Sequence, residues 1–324
     1  MNKSDTQNYI PYYDLAAEAG AALRGETDRE IPGVSEEIEE NEIYRLSLIR
    51  ILNDEGASAM GRPKGLYATI DTKADLSEED AEPPIVDVFS RVLKDLIPAE
   101  GNDPVLICGI GNPGIASDAL GKTVIDHMLP TRHLFRADML RHTEGFIPTA
   151  LLVPNVLGNT GIEAVELTRA VAKEIRPKAV IIIDALATAS FRRLGASFQI
   201  TDTGISPGGG IGNERPAINS DTLGVPVIAI GVPTVIYPQA IIMEAFAAMK
   251  QSLFGNKETA AFQNWNAAEE ALFQNTREQM MNFAVTPKDI DCTVGHLSEI
   301  ISGGIQTALH TEINAENFRA YFPQ

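Results

Sequence analysis

The chain has 324 residues, of which 44% are hydrophobic and 22% charged, as in an ordinary soluble globular protein. Its formal net charge of −18 repels phosphate backbones, so we expect no direct binding to nucleic acid. No apolar run approaches the roughly 20 residues that span a bilayer, so we expect no membrane span. Its two cysteines, Cys108 and Cys292, form no CxxC pair, which is typical of a reducing, intracellular setting.

The first third of the chain predicts a tail, a short helix and a mixture of further elements. Residues 1–13 are polar, and Asp14 is placed to cap a helix that begins in "YDLAAEAGAAL". Residues 30–52 predict a turn followed by strand or helix, which periodicity does not decide. "GRPKGLYATID" predicts a turn and a strand, and residues 77–97 predict an amphipathic helix.

The central third alternates between apolar strands and helices. The two clearest helices are expected over 117–129 and 161–175. Strands are expected over 104–111, 146–156, 178–186, 196–202 and 225–232. This alternation predicts an α/β fold with a mixed, mostly parallel twisted sheet that has helices on both faces.

The last quarter of the chain is expected to be helical. Residues 235–255 and 264–283 form two of the expected helices. A long third helix is expected after an N-cap at Thr286 and a proline at Pro287.

A glycine-rich stretch, "VLICGIGNPGIASDALGK" at 105–122, contains a literal G-x-G-x-x-G over 109–114. A dinucleotide site needs a helix to open at the third glycine. Here Ser117 is the better N-cap, and Pro113 removes a backbone donor from the loop. The favoured interpretation is a loop that leaves the sheet and presents Asp118, with a nucleotide-binding regulatory module as an alternative.

Two aspartates follow predicted strands at what would be the same edge of the sheet. Asp118 follows the strand over 104–111, and Asp184 ends the strand in "AVIIID". Ligand sites of open α/β sheets lie beyond the carboxyl ends of the strands, so these two carboxylates are candidates for an acid–base pair. Capping a helix is the competing role for Asp118.

Other catalytic patterns are weak. The chain contains no H-E-x-x-H and no G-x-S-x-G, and its five histidines are scattered. Cys108 lies inside an apolar strand, which makes it a poor nucleophile. The second glycine-rich stretch, 202–216, lacks the G-K-[ST] of a phosphate loop and is either a surface loop or a loop that closes on an extended ligand.

Several long motifs resemble the germination protease family of spore-forming bacteria. They include "GIGNPGIASDALG", "IIIDALATAS", "ITDTGISPGGGIGN", "LGVPVIAIGVPTV" and "SGGIQTALHTEINAENF", in the order expected for that family. The matches run from about Asp14 to Phe318, so the resemblance covers nearly the whole chain.

This resemblance implies an activity, a fold and an assembly. Family members are intracellular endopeptidases that begin the breakdown of small acid-soluble spore proteins in the spore core, and they form homotetramers. Their fold is similar to that of hydrogenase-maturation proteases, and the proposed catalytic pair matches Asp118 and Asp184. No cofactor is certain from the resemblance. A divalent metal bridging the two aspartates stays open, as does the alternative of a metal-sensing maturation protease.

The resemblance also implies that the chain is made as a zymogen and trimmed by its own activity. The family cleaves after an acidic residue and before a large apolar residue followed by Ala, which predicts processing between Asp14 and Leu15. The usual acidic residue three positions earlier is Pro11 here. Residues 1–14 would then be a propeptide and 15–324 a single protease domain, with about 30–75 as a candidate smaller subdomain.

An acidic residue at the cleavage point calls for a basic subsite, and the second glycine loop is a candidate for binding the extended peptide backbone. The residues expected to bind substrate are Arg192, Arg193, Gly208, Gly209, Gly210 and Arg215. The chain departs from the family pattern at Lys122, Thr188 and Tyr237, which puts substrate preference and subunit contacts in question.

Overall fold

A computed structural model describes residues 14–24, 30–74, 76, 81–99, 103–137, 139, 145–206, 216–255, 280 and 283–323. The strands are β1 (Val34–Glu40), β2 (Tyr44–Ile51), β3 (Gly65–Thr72), β4 (Val105–Gly109), β5 (Thr149–Leu152), β6 (Ala179–Thr188), β7 (Ser197–Thr201) and β8 (Val227–Ile236). The α-helices of these residues are α1 (Ala16–Arg24), α2 (Asp54–Met60), α3 (Glu82–Leu96), α4 (Leu120–Asp126), α5 (Arg132–Arg136), α6 (Leu157–Thr160), α7 (Ala164–Ile175), α8 (Ser220–Leu223), α9 (Pro238–Phe254) and α10 (Ile290–Leu309).

The strands of the described residues form one eight-stranded sheet in the order β1-β2-β3-β7-β8-β6-β4-β5. From β8 through β6 and β4 to β5 the strands are parallel, and from β1 through β2, β3 and β7 to β8 they are antiparallel. The expected mixed α/β fold is therefore confirmed. The parallel half is continuously apolar because helices cover it on both sides.

One face of the sheet carries the main core. Helices α3, α4 and α10 pack against it, and the rings of Phe89 on α3 and Phe198 on β7 meet edge to face at 5.9 Å. On the opposite face, α7 packs on the parallel strands, whereas α1 and α2 pack on β2 and β3. The second face is therefore the one on which residues 14–24, here called the N-terminal segment, lie.

Residues 30–52 contain a β-hairpin, the part of the chain for which periodicity gave no decision. β1 and β2 pair antiparallel from Val34 opposite Ile51 to Glu40 opposite Arg45. The pattern was ambiguous because β1 lies at the sheet edge and exposes most of its side chains, so it lacks a clear alternation.

The long C-terminal helix begins later than its capping signal predicted. α10 starts at Ile290 with Asp289 as its N-cap residue. The Thr286 hydroxyl instead donates to the carbonyl of Thr234 at 2.9 Å. This hydrogen bond links the residues that precede α10 to β8. The helix expected over 264–283 falls almost entirely outside the described residues.

Within the described ranges, no helix is both long enough and apolar enough to cross a membrane.

A fully buried histidine follows α10. His310 stacks on Phe146 with ring centroids 5.1 Å apart, and its Nδ1 accepts the amide of Ile147 at 3.3 Å. Nε2 has no hydrogen-bond partner among the described residues. Burial lowers the pKa of His310 to about 4, because the charged ring would lose its water.

We predict that His310 makes the free energy of unfolding depend on pH. An unfolded histidine takes up its proton near pH 6.5, whereas the folded one does so near 4. The free energy of unfolding should therefore be highest above pH 6.5, where the histidine is neutral in both states. It should fall by roughly 3 kcal/mol as the pH drops to 4. Urea unfolding at several pH values should show that His310→Phe flattens this slope, whereas His296→Gln, at an exposed position, preserves it. An equally steep slope in His310→Phe would contradict the assignment.

Candidate active site

Asp118 is presented by the loop that leaves β4. After this strand the chain makes a 3₁₀ turn over Ala116–Asp118, and α4 starts at Leu120. Ser117 therefore lies inside the 3₁₀ turn, and Ala119 is the N-cap residue of α4, so the expected cap at Ser117 is wrong. The Asp118 carboxylate accepts the backbone amide of Asn112 at 2.8 Å, which fastens it to the loop itself.

The glycines of this loop make room for Asp118 and for α4. A Cβ on Gly111, whose φ is +111°, would lie 2.1 Å from the carbonyl oxygen of Asp118. A Cβ on Gly109 would lie 2.1 Å from the carbonyl oxygen of Gly121 in α4. These two glycines therefore permit close packing of loop on helix, which accounts for most of the dinucleotide-like motif.

Asp184 lies in the neighbouring strand β6. It does not end that strand as expected, because β6 continues past it to Thr188 alongside β8. The amide of Ile110 donates to the carbonyl of Ile183 at 2.8 Å, so the chain leaving β4 runs beside the residue that precedes Asp184. The Asp184 carboxylate accepts the amide of Ala185 at 2.9 Å and is half-buried, as is Asp118. The fold thus brings the two predicted aspartates to one edge, where β4, β6 and the 3₁₀ turn meet.

Other chemical groups near this edge fit catalysis less well. Cys108 is fully buried in β4, and this burial raises the pKa of its thiol to about 12, so the nucleophilic thiolate is suppressed. In the part of the chain that the structure describes, no group of three or more His, Cys, Asp and Glu side chains is arranged to hold a metal ion.

The N-terminal segment is held against the carboxyl-terminal part of β6. The Asp14 carboxylate accepts the amide of Ala187 at 2.7 Å. Leu15 and Ala16 are fully buried, and Leu15 supplies the carbonyl that accepts the first amides of α1. Asp14 therefore binds β6 and does not cap the helix as the sequence predicted.

Gln199 of β7 contacts the main chain of this segment twice. Its Nε2 donates to the carbonyl oxygen of Asp14 at 3.1 Å, and its Oε1 accepts the amide of Ala16 at 2.7 Å. The first contact is with the carbonyl oxygen of the Asp14–Leu15 peptide bond, and the second is with the amide of the next peptide bond, Leu15–Ala16. Gln199 is therefore a functional candidate that sequence reasoning missed.

A cation near Asp14 was also missed. Removal from water raises the pKa of the Asp14 carboxyl, whereas the Ala187 amide and the charge of Arg62 act in the opposite direction. The guanidinium of Arg62 lies over the ring of Tyr67, 5.7 Å from its centroid. No sequence signal links Arg62 to Asp14, because the connection runs through the pairing of distant strands.

Comparison with known proteins identifies the family. The family model described as "Germination protease" matches residues 12–279. The chain belongs to the germination protease family. The assignment makes it a peptidase of spore germination, so the nucleotide-binding module is not supported.

Several germination proteases match most of the chain. That of Caldanaerobacter subterraneus subsp. tengcongensis is 37% identical over 304 residues, which cover 91% of this chain and 93% of the relative. Those of Priestia megaterium and Bacillus subtilis strain 168 are 33% and 31% identical, and each alignment covers 98% or more of both chains.

In this germination protease chain, Arg193 was expected to bind the acidic residue at the cleavage point. It faces the N-terminal segment but contacts other acidic residues. It binds Asp71 with distances of 3.1 Å, and its guanidinium lies 3.8 Å from the carboxylate of Glu18 on α1. Glu18 is only 6% exposed and also accepts from the Thr188 hydroxyl and the Ala189 amide. Its pKa is raised, chiefly by burial.

The remaining predicted substrate residues are less informative. Arg192 is exposed, and its amide lies 3.4 Å from the hydroxyl of Ser190. Gly208, Gly209, Gly210 and Arg215 lie outside the described residues. Of the departures from the family pattern, Lys122 pairs with Asp126 on the surface of α4, and Tyr237 is the N-cap residue of α9.

We predict that Gly111→Ala lowers the free energy of unfolding by at least 1–3 kcal/mol, on the order of what a strained backbone conformation costs. The reason is the positive φ together with the contact to Asp118. Gly114→Ala is the matched control in the same loop, because a Cβ there meets only the Asn112 side chain at 3.3 Å. Chemical denaturation of both variants measures the difference, and equal stabilities would refute this account of the loop.

Proposed function

We propose that this peptidase begins the breakdown of small acid-soluble spore proteins in the cytoplasm of the spore core. It cuts after an acidic residue and before a large apolar residue followed by Ala. It is made as a zymogen that processes itself between Asp14 and Leu15, which removes residues 1–14 and leaves 15–324 as the protease domain, assembled as a homotetramer. Family membership and the family's motifs support this proposal.

The main support for the proposal is the way in which the N-terminal segment binds β6 and β7. Asp14, Leu15 and Ala16 have the sequence that the proposed specificity requires, and each has its own binding contacts. The acidic side chain meets a backbone donor and the field of a cation, and the two following side chains are fully buried. This segment is bound as a substrate of that sequence would be.

The proposed chemistry uses the two aspartates at the sheet edge. One carboxylate of the Asp118–Asp184 pair takes a proton from water, whose oxygen attacks the carbonyl carbon of the acidic residue. The other carboxyl group donates a proton to the leaving nitrogen as the C–N bond breaks. Both carboxyl groups are half-buried at this edge of the sheet.

We predict that Asp118→Asn and Asp184→Asn each lower kcat for cleavage of a small acid-soluble spore protein by 10² to 10⁴ or more, the range typical of acid–base groups. Each variant should also keep Met1, whereas matured wild-type protein should begin at Leu15. Gel assays and N-terminal sequencing of the purified full chains measure both effects.

Asp126→Asn is the control for these variants, because Asp126 lies exposed at the last position of α4, away from the proposed pair, and binds Lys122. It should process and cleave like the wild type. Undiminished cleavage by either aspartate variant would refute the catalytic pair, and an intact Met1 in fully active protein would refute the processing site.

A further inference from the structure

We infer that Gln199 is a further catalytic residue, whose Nε2–H stabilises the negative charge that develops on the carbonyl oxygen of the cleaved peptide bond. This inference rests on the proposed function, because the bond in question is Asp14–Leu15 and its counterpart in substrates. The main observation is that one side chain donates to the carbonyl oxygen of this bond and accepts the amide of Ala16, one residue beyond Leu15.

The orientation of the Gln199 amide group is fixed by its partners. A backbone N–H only donates and a carbonyl only accepts, so Oε1 must face Ala16 and Nε2 must face Asp14. The side chain is only 6% exposed, so little water competes for either contact. The donor is therefore aimed at the Asp14 carbonyl oxygen before any reaction begins, which is the condition for electrostatic preorganisation.

The sheet places Gln199 and Asp184 in one row on one face. Gln199 of β7 pairs with Gly231 of β8, and Gly231 pairs with Asp184 of β6. Directly paired residues point to the same side of a sheet, and two strand spacings separate the two backbones by about 10 Å. A peptide carbonyl held by Gln199 thus lies on the side of the sheet that carries Asp184.

The residue between them in this row has no side chain of its own. A Cβ on Gly231 would lie 2.4 Å from the side chain of Leu186, so Leu186 covers the interval between Gln199 and Asp184. Leu186 is itself half-buried, so it shields part of this interval from solvent, and a hydrogen bond to a developing oxyanion is stronger where water is shut out.

The segment is also fixed on its acidic side chain. The Ala187 amide holds the Asp14 carboxylate while Gln199 holds the Asp14 carbonyl oxygen. With these two anchors, the carbonyl group has little freedom to rotate away from Nε2. When water adds to this carbon, the carbonyl electron pair moves to the oxygen, which becomes the oxyanion that Gln199 faces. When the C–N bond breaks, the pair returns to the carbonyl and the nitrogen takes up a proton.

A purely structural role for Gln199 predicts a different kinetic result. If the side chain only anchored the N-terminal segment, its loss would weaken peptide binding and raise KM without changing kcat. An oxyanion donor acts mainly in the transition state, so its loss lowers kcat by about 10² to 10³. The split between kcat and KM therefore distinguishes the two roles.

The test uses the purified full chain with Gln199→Met, which keeps the size of the side chain and removes the donor. Two assays are run: self-processing followed by intact mass, and cleavage of a synthetic peptide that spans Tyr9–Leu23. Gln306→Met is the matched control, because Gln306 is also fully buried and also bridges two main-chain groups, the Leu129 amide and the His127 carbonyl, away from the segment. Melting temperatures report whether each variant is folded.

We expect Gln199→Met to lose about 10² to 10³ in kcat with less than a tenfold change in KM, and Gln306→Met to keep the wild-type kcat. A folded Gln199→Met with wild-type kcat overturns the inference alone. A wild type that cuts neither its own chain nor the peptide overturns the proposed function and the inference together.

A second variant keeps the inference testable if Gln199→Met does not fold. In Gln199→Glu the side chain donates a hydrogen bond only when the carboxyl group is protonated. Its activity relative to the wild type should therefore rise as the pH falls. The kcat ratio carries the test: a ratio that stays constant across the pH range overturns the inference, because a side chain that only anchors the peptide changes KM with pH and leaves kcat unchanged.

Discussion

The arrangement of the candidate site depends on the two different pairings of β8. This strand is parallel to β6 on one side and antiparallel to β7 on the other, so it joins the parallel and antiparallel halves of the sheet. Because of this, Asp184 of β6 and Gln199 of β7 both pair with Gly231 of β8 and lie in one row. The N-terminal segment lies on the same face and contacts both strands. A slip of one residue in either pairing would turn one of these side chains to the opposite face.

Much of the fold and part of the site could be predicted from local sequence. The central strands, the amphipathic helix α3 and the presentation of Asp118 by a glycine loop follow from patterns that span a few residues. The predicted caps failed at Ser117 and Thr286, because side chains and turns from other elements compete for those groups. Gln199 and Arg62 could not be predicted, because their relation to Asp14 exists only after distant strands have paired.

The departure of this chain from the family pattern at Thr188 has a structural counterpart. The Thr188 hydroxyl and the Ala189 amide both donate to the Glu18 carboxylate. The cation that faces Glu18 comes from Arg193, and Asp71 holds that guanidinium in place. The buried acid of α1 is thus satisfied by hydrogen-bond donors of β6 and the residue after it, together with one cation.

The complete burial of Leu15 has a consequence for a chain that is cut at this point. Hydrolysis of the Asp14–Leu15 bond turns a neutral amide into a carboxylate and an ammonium group, both formed where no water reaches the Leu15 side chain. The new carboxylate lies beside the side chain of Asp14, and isolated charges in such surroundings are strongly destabilised. The N-terminal segment is therefore bound less favourably after the cut than before it. On the proposed cut at Asp14–Leu15, these new charges would favour the departure of residues 1–14, which would leave the site open for the next peptide.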